Sequence, residues 1–307
     1  MATQGVSQGS TSQEHGWHHL FPLITVLIWS GNTLVTKLSS GRIAPASITF
    51  YRWALAFCIL SLFMLPSVWR ARHQLRGLMP QLFVLGLLGM LVYQGLAYYA
   101  AGSTTATNMG ILLALSPLLS SLFASVLTPD RLTQGALIGG VVSFSGVLWL
   151  ISGGQLQSLV HFHLSLGDAL MLVAVMANAL YGVLLRRWSF DLSRWLQLYV
   201  QIACALLFLT PWFLLSSPSP LTHENLPLVL YAGTLASIGA PWLWIKGIQS
   251  LGPARASLYM NLMPVMVAVA AMVFLGETLG LHHLIGGGLA LAGVWLGQSL
   301  RKPLRAT

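Results

Sequence analysis

Arg52 is the one charged residue that the sequence places well inside a long apolar stretch. The stretch begins near residue 46, so Arg52 lies about six residues, or roughly 9 Å along a helix, from its end. An ionisable residue inside a membrane-spanning helix is a candidate for function, because a charge in hydrocarbon is costly. Its guanidinium could bind a carboxylate through two parallel hydrogen bonds, with Lys37 as a weaker helper. The alternative is that the long side chain reaches up to the membrane interface.

Amides and hydrogen-bonding aromatic residues form a second set, spread over six other apolar stretches. Asn32 and Asn178 occupy equivalent positions 146 residues apart, and Trp29 shares a helical face with Asn32. The alternative is interhelical hydrogen bonding at about 0.6 kcal/mol each, with Trp and Tyr at the membrane interfaces. As a set they favour an amphipathic cavity for a small substrate. With Arg52, the candidates are Trp29, Asn32, Tyr93, Gln94, Tyr98, Asn108, Asn178, Tyr181, Trp244, Tyr259 and Asn261.

Acidic residues are absent from the middle of every apolar stretch. Asp168 is at an outer end, while Asp130 and Glu277 precede the fifth and tenth stretches, where a carboxylate can cap the start of a helix. A multidrug antiporter for organic cations normally uses a buried carboxylate as its shared site for protons and cations. Export of cationic drugs is therefore disfavoured.

Two prolines fall near the middle of the fourth and ninth stretches. Pro117 and Pro264 each remove a helical hydrogen bond and crowd the carbonyl four residues earlier. Each could be a packing kink, which is common in membrane helices, or a flexing point whose freed carbonyl faces a cavity. The spacing alone leaves both readings open.

The elements that position these residues are predicted to be membrane helices. The chain has 307 residues, 56% hydrophobic and 7% charged, whereas soluble domains carry about 25% charged residues. About 20 apolar residues cross a bilayer core, and runs such as 82–90 lack the alternation of barrel strands. Charge and turn residues divide the chain into ten stretches near 18–38, 46–66, 78–99, 104–127, 133–152, 167–186, 194–215, 226–247, 255–275 and 281–300.

An internal repeat relates the two halves of the chain. Residues 115–147 align without a gap with 262–294, with 11 of 33 pairs identical, Pro117/Pro264 among them. Five stretches lie in each half, and an odd number forces the second copy to enter the membrane upside down. Inverted repeats of this kind are common in secondary transporters, where they surround a central site. Glycines spaced by four, such as Gly135 and Gly139, should attach the fifth and tenth helices to a neighbour or a second subunit.

The net charge of +9 is a topology signal. If the N-terminus is inside, 12 of the 15 basic residues lie in inner connections or at the C-terminus, as the positive-inside rule expects. This distribution argues against nucleic-acid binding. The inside set is Arg70, Arg72, Arg76, Arg131, Arg186, Arg187, Arg194, Lys246, Arg255, Arg301, Lys302 and Arg305.

Three segments carry a resemblance to a known family. The stretch 98–117, the second copy at 254–264 with Leu-Gly-Glu-Thr-Leu at 275–279, and Phe-Tyr-Arg-Trp at 50–53 resemble the EamA repeat of the drug/metabolite transporter superfamily. The first copy departs from the pattern with Thr-Pro-Asp at 128–130. The resemblance implies ten helices as an inverted five-plus-five repeat, cytoplasmic termini, and export of small metabolites across a bacterial inner membrane.

We therefore predict an all-α integral membrane protein with two repeats, 17–152 and 167–300, joined by a periplasmic connection at 153–166. Residues 1–16 are expected to be a disordered cytoplasmic tail and 301–307 a basic one. The predicted function is export of amino acids or related zwitterionic or anionic compounds by alternating access. Drug efflux is the alternative, followed by a channel or an intramembrane enzyme, for which no His-Glu-x-x-His motif or paired intramembrane aspartates are found. We expect no enzymatic activity, no cofactor, no metal and no nucleic-acid partner. The expected partners are membrane lipid and a small-molecule substrate, and the expected oligomeric state is a monomer or a homodimer.

Overall fold

The structure, a computed structural model, describes residues 17–128, 134–155, 165–251, 256 and 259–299. The predicted tails, Asp130 and most of the 153–166 connection lie outside this part. Every regular element within it is helical. The α-helices are α1 (Leu20–Ser39), α2 (Pro45–Gly86), α3 (Tyr93–Ala100), α4 (Ala106–Leu113), α5 (Ser116–Leu127), α6 (Gln134–Ile151), α7 (Leu166–Trp188), α8 (Arg194–Leu215), α9 (Leu226–Leu230), α10 (Ala240–Leu251), α11 (Met263–Leu275) and α12 (Leu281–Ser299).

Among the described residues, six helical stretches are long and apolar enough to cross a membrane, and three more apolar helices are shorter. Large apolar side chains such as Leu62, Val126 and Phe274 are exposed on their surfaces. Such a surface is stable only against hydrocarbon, because in water it would be an aggregation site. The chain is accordingly a multi-pass membrane protein.

The stretch from Pro45 to Ala100 is continuously helical but does not run straight. Arg52 hydrogen-bonds Gln94, and the indole N–H of Trp53 donates to the carbonyl of Met90. A straight helix would separate residues 52 and 94 by about 63 Å. The chain must therefore reverse near residue 72, which gives two antiparallel arms. The predicted stretches 46–66 and 78–99 are these arms, and the connection between them is itself helical.

Helices α6 and α12 pack against each other along glycines that the repeat relates. A Cβ on Gly139 would overlap the carbonyl oxygen of Gly293, and a Cβ on Gly146 would lie 2.6 Å from that of Gly286. Rising residue numbers in α6 meet falling numbers in α12, so the two helices are antiparallel. These glycines thus attach the fifth and tenth predicted helices to each other.

A second pair of close contacts involves glycines at the same offset. A Cβ on Gly86 would overlap the carbonyl oxygen of Gln201, and a Cβ on Gly233, which is 147 residues after Gly86, would lie 3.0 Å from the carbonyl oxygen of Arg52. Close backbone approach through small residues is how helices associate in lipid, where burial of apolar surface gives no driving force. The backbone of Arg52 is held in this way against the second half of the chain.

Helices are interrupted at both repeat prolines. Pro117 is the second residue of α5, which follows α4 after a two-residue break, and Pro264 is the second residue of α11, after the 3₁₀ turn Tyr259–Leu262. Proline lacks the N–H that a continuous helix needs, while the first turn of a new helix does not need it. Pro117 thus lies in the first turn of α5 after a two-residue interruption, and Pro264 lies in the first turn of α11 after a 3₁₀ turn, so neither proline lies in the interior of an α-helix.

Two π-helical segments occupy equivalent places in the repeats. Segment π1 (Leu87–Val92) lies in the second arm of the hairpin, and π2 (Tyr231–Gly239) lies between α9 and α10. Adding 147 to the bounds of π1 gives 234–239, which falls inside π2. Short π-helical segments often mark functional sites, because the wider turn redirects side chains and carbonyls. These segments position the candidate site.

Candidate functional site

Arg52 is buried, with 2% of its surface exposed. Its Nη1 donates to the side-chain carbonyl of Gln94 at 2.9 Å and to the hydroxyl of Tyr98 at 3.1 Å. Both partners lie on α3, just after π1. The side chain therefore points across the helical hairpin into the protein.

The third partner of Arg52 comes from the other half of the chain. Nη2 donates to Oγ of Ser237 at 2.9 Å, and that hydroxyl donates in turn to the carbonyl of Ala232 at 2.7 Å. The five-residue separation of Ser237 and Ala232 matches the π-helical geometry of π2. Because the Ser237 proton is used on its own helix, its oxygen is free to accept from the guanidinium.

The partners of the Arg52 guanidinium in the described part of the chain are all neutral. Its Nε has no hydrogen-bond partner there, and the rings of Trp53 and Tyr98 lie 5.0 and 6.0 Å from its central carbon. Amide, hydroxyl and π-face contacts compensate a buried cation only partly. The arrangement favours an anionic group that would complete the neutralisation.

An aromatic pair adjoins this cluster through π2. The indole N–H of Trp29 donates to the carbonyl of Ala236 at 3.2 Å, one residue from Ser237. The rings of Trp29 and Trp244 lie 5.8 Å apart at 51°. Helices α1 and α10 thus bring two indoles beside the segment that holds the guanidinium. This surface suits the apolar part of a small amphipathic molecule.

Tyr181 forms a separate contact at π1. Its hydroxyl donates to the side-chain carbonyl of Gln201 at 3.1 Å, and its ring packs on Gly89, where a Cβ would lie 3.0 Å away. Gln201 is 1% exposed. Tyr93, also near π1, is half-buried against the apolar cluster that includes Ala97 and Met109.

The four candidate asparagines are dispersed. Asn108 donates to Asp168 at 3.3 Å, and its side-chain oxygen and that of Asn32 are buried without hydrogen-bond partners among the described residues. Asn178 and Asn261 are half-buried, on α7 and on the 3₁₀ turn before α11. Their half-burial alone assigns them to no site.

Tyr259 lies apart from the Arg52 cluster. Its hydroxyl is hydrogen-bonded to Nδ1 of His19. His19 is ten residues before Trp29, about 15 Å away along α1. The structure therefore groups Arg52, Gln94, Tyr98, Trp29 and Trp244 around π2 and places Tyr259 near one end of the molecule.

Sequence reasoning missed Ser237 and Gln201. Serine in membrane helices usually bonds to a carbonyl of its own helix, so its type and position give no signal. Gln201 shares its predicted stretch with Gln197, so the presence of an amide in an apolar helix is a signal that does not single it out.

The polar residues predicted near the helix ends have other roles than expected. Glu277 was predicted to cap the tenth helix, but its carboxylate accepts from the backbone N–H groups of Ala106 and Thr107 at the start of α4. Lys37 donates to the carbonyls of Ala101 and Thr104 at 2.8 and 2.6 Å. Both are thus bound to the connection between α3 and α4. The free N–H groups of α4 attract the carboxylate because they carry the positive end of the helix dipole.

Comparison with known proteins identifies the chain. Residues 16–152 and 165–297 each match the EamA-like transporter family. The chain belongs to this family. It is a transporter of the drug/metabolite transporter superfamily, as the resemblance of the repeat motifs indicated. Among the described residues, no group of three or more His, Cys, Asp or Glu is placed to hold a metal ion.

Individual relatives agree with this assignment. The transporter YyaM of Bacillus subtilis is 27% identical over 89% of this chain and 90% of its own length. A probable terminal-alkyne amino-acid exporter of Streptantibioticus cattleyicolor is 26% identical over 89% of this chain and 91% of its own length. A solved crystal structure superimposes with a TM-score of 0.62, over 93% of this chain and 97% of that one, at 18% identity, and shares the fold.

Proposed function

We propose that this transporter exports small zwitterionic or anionic metabolites, amino acids foremost, across a bacterial inner membrane by alternating access. The observation that carries the proposal is the buried guanidinium of Arg52, bound by neutral groups from both halves of the chain. A carboxylate would neutralise this charge by bidentate hydrogen bonds. The name of the amino-acid exporter relative supports the same substrate class.

The alternating-access part of the proposal is supported by the reciprocal contacts between the halves. The helices can be counted as ten spans. In this count the two hairpin arms are separate spans, while α4–α5, α9–π2–α10 and the 3₁₀ turn with α11 are one span each. The offset of 147 relates Gly139 to Gly286 and Gly146 to Gly293, so it converts the contact Gly139–Gly293 into the contact Gly146–Gly286. A two-fold axis in the membrane plane produces such an exchange. We propose the inverted five-plus-five repeat on this basis.

Orientation rests on the charge partition. With the N-terminus inside, the 12 basic residues of the inside set would all lie on the cytoplasmic side, and this supports the proposal that both termini are cytoplasmic. The end of the molecule that carries Lys37, Asp168 and Glu277 then faces the periplasm. Oligomeric state stays a prediction, with monomer and homodimer as the two forms.

The test is transport by purified protein in proteoliposomes. Vesicles are loaded with a panel of radiolabelled amino acids, each paired with its carboxamide, and efflux is compared with that from protein-free vesicles. The proposal expects at least one acid to leave faster than its amide. Efflux of neither class, or equal efflux of acid and amide throughout the panel, would contradict the carboxylate assignment.

Drug efflux is the second candidate, and the indole pair of Trp29 and Trp244 favours it. Aromatic faces bind organic cations as well as apolar groups. A cationic drug would meet an unneutralised guanidinium next to that pair, which opposes its binding. Ethidium efflux from the same vesicles, with no amino-acid efflux, would favour this candidate.

A further inference from the structure

The turn between α3 and α4, residues 101–105, and the first two residues of α4 are held by groups from three other elements. They are Lys37 on α1, the start of α7, and Glu277 between α11 and α12. The last two belong to the second half of the chain. The turn therefore joins the two halves at one end of the molecule.

Glu277 supplies a helix cap from a distant part of the chain. Its Oε1 accepts from the N–H of Ala106 at 2.8 Å, and its Oε2 accepts from the N–H and the hydroxyl of Thr107 at 3.1 and 2.7 Å. Thr105 caps α4 locally, since its hydroxyl oxygen accepts from the N–H of Asn108 at 3.0 Å. The local cap leaves the first two N–H groups free, and Glu277 takes both.

The backbone turn after α11 orients the carboxylate of Glu277. Gly276 has φ 66° and ψ 20°, a left-handed conformation that glycine adopts without strain and that commonly ends a helix. The N–H groups of Gly276 and Glu277 both donate to the carbonyl of Ala271. The chain is turned sharply at this point, and Glu277 faces α4.

Asp168 holds the other side of the turn. Ser165 is the N-cap residue of α7, and its hydroxyl oxygen accepts from the N–H of Asp168 at 3.0 Å while its hydroxyl proton is donated to the Asp168 carboxylate. The remaining carboxylate oxygen accepts from the hydroxyl of Thr104 and from Asn108. The pair Thr104 and Asp168 is buried, each with 6% of its surface exposed.

The contact at Gly167 is steric as well as polar. A Cβ at this position would lie 2.7 Å from the carbonyl oxygen of Ala100 and 2.8 Å from Oγ of Ser103. The start of α7 therefore lies directly on the turn. Any side chain at position 167 must push the two apart.

The repeat-related contact at the opposite end has a different chemistry. Ala100 corresponds to Gly247 at the offset of 147, and a Cβ there would lie 3.0 Å from Cδ of Pro22. At the offset of 146, Asp168 corresponds to Pro22 and Lys37 to Val183. Two of the three charged anchors, Asp168 and Lys37, thus have apolar counterparts. The two ends of the transport path, which should close alternately, therefore differ in the polarity of their contacts.

We infer that the turn and its anchors Lys37, Asp168 and Glu277 form a polar latch, which closes the periplasmic end of the transport path and must open for substrate release. The inference rests on the proposed alternating access. Its contacts through Asp168 and Glu277 cross between the halves, which must separate there in an outward-open state, while Lys37 holds the turn from within the first half. An apolar contact at the other end would open without loss of charged hydrogen bonds, so the latch biases the protein toward outward closure.

The experiment measures the opening of this end directly. Nitroxide labels are attached to Gly102→Cys and Thr278→Cys, both exposed positions, in a Cys58→Ser, Cys204→Ala background. Distances are read by pulsed electron resonance in the full chain in nanodiscs, without substrate. We expect Asp168→Asn, Glu277→Gln and Gly167→Ala each to raise the ratio of long to short distances by about tenfold, the scale of one charge-assisted hydrogen bond.

Two matched control variants should give the same distance distribution as the doubly labelled parent protein. Gly182→Ala lies on the same helix as Gly167 with nothing within 4 Å of its added Cβ, and Glu224→Gln alters an exposed acid. If one of the latch variants does not fold, Thr107→Val, which removes one hydrogen bond to Glu277, is measured in its place. Unchanged distances in the folded latch variants would overturn the inference. The readout uses no substrate, so a failure of amino-acid transport alone would count only against the proposed function.

Discussion

At the scale of single residues, the burial of Arg52 decides how its charge is used. The charge of an exposed arginine is screened by water. The side chain of Arg52 is instead held by Gln94, Tyr98 and Ser237 inside the protein, where electrostatic interactions are stronger. Its neutral partners fix the orientation of the guanidinium and leave its charge available. We propose that the guanidinium distinguishes substrates by their charge.

Arg52→Lys and Arg52→Gln should weaken transport of the acid far more than transport of its amide. Lysine keeps the charge but cannot form the bidentate pair, so KM for the acid should rise about tenfold or more in both variants. Initial efflux rates over a range of substrate concentrations measure this. Arg42→Gln, a change at an exposed outer cation, should leave KM unchanged. Equal losses for acid and amide would assign Arg52 a structural role.

Ser237→Ala should raise KM for the acid by about tenfold, because one charge-assisted hydrogen bond that positions the guanidinium is lost. Thr234→Val is the matched control in the same π-helical segment. Its side chain is half-buried, and its hydroxyl donates to the carbonyl of Leu230 on its own helix. If both variants behave alike in the concentration series, Ser237 does not position Arg52.

At the scale of elements, glycines set how closely the helices of the two halves approach. The α6–α12 pair has backbone against backbone at Gly139, Gly146, Gly286 and Gly293. The two π-helical segments add a second device, since each presents a carbonyl or a hydroxyl to a neighbouring helix. Met90, in π1, accepts from Trp53, while Ser237, in π2, accepts from Arg52.

Gly139→Ala and Gly293→Ala should each lower the free energy of unfolding by about 1–3 kcal/mol, since the new Cβ would overlap a facing carbonyl. Gly140→Ala and Gly288→Ala, whose added Cβ would have nothing within 4 Å, should change stability by less than about 0.5 kcal/mol. Thermal unfolding in detergent, followed by tryptophan fluorescence, compares the four. Similar melting temperatures throughout would show that this helix pair tolerates separation.

At the scale of the whole molecule, orientation follows from charge. Positively charged connections are retained in the cytoplasm during insertion, and acidic residues contribute little to this choice. If the halves form the proposed inverted repeat, contacts between helices alone do not decide which end is outside. The charges at the helix connections must do so.

Single cysteines at positions 72 and 222 should label from opposite sides of the membrane. Arg72 lies at the reversal of the helical hairpin, and Thr222 is exposed just before α9. We expect a membrane-impermeant maleimide to react with position 222 in intact spheroplasts and with position 72 only after lysis. Reversed labelling would invert the topology, and with it the side on which the proposed latch lies.

The sequence by itself determined the helical membrane class, the family and the relation between the halves. These depend on properties that act locally: apolar length against the thickness of the bilayer, and identity of residues at a fixed offset. It also singled out Arg52, because a charge in an apolar stretch is conspicuous without any knowledge of its neighbours. The breaks at Pro117 and Pro264 followed from the covalent structure of proline.

Only the tertiary structure decided which residues meet. Ser237 and Gln201 acquired their roles from the π-helical segments and from packing between the halves, neither of which has a local signal in the sequence. Glu277 illustrates the reason: a carboxylate seeks free N–H groups, and many helix starts could satisfy it. The turn at Gly276 and the packing of α11 on α4 brought it to Ala106, 171 residues away along the chain. Long-range partners are selected by global packing, because the local energy of such a cap is the same wherever it forms.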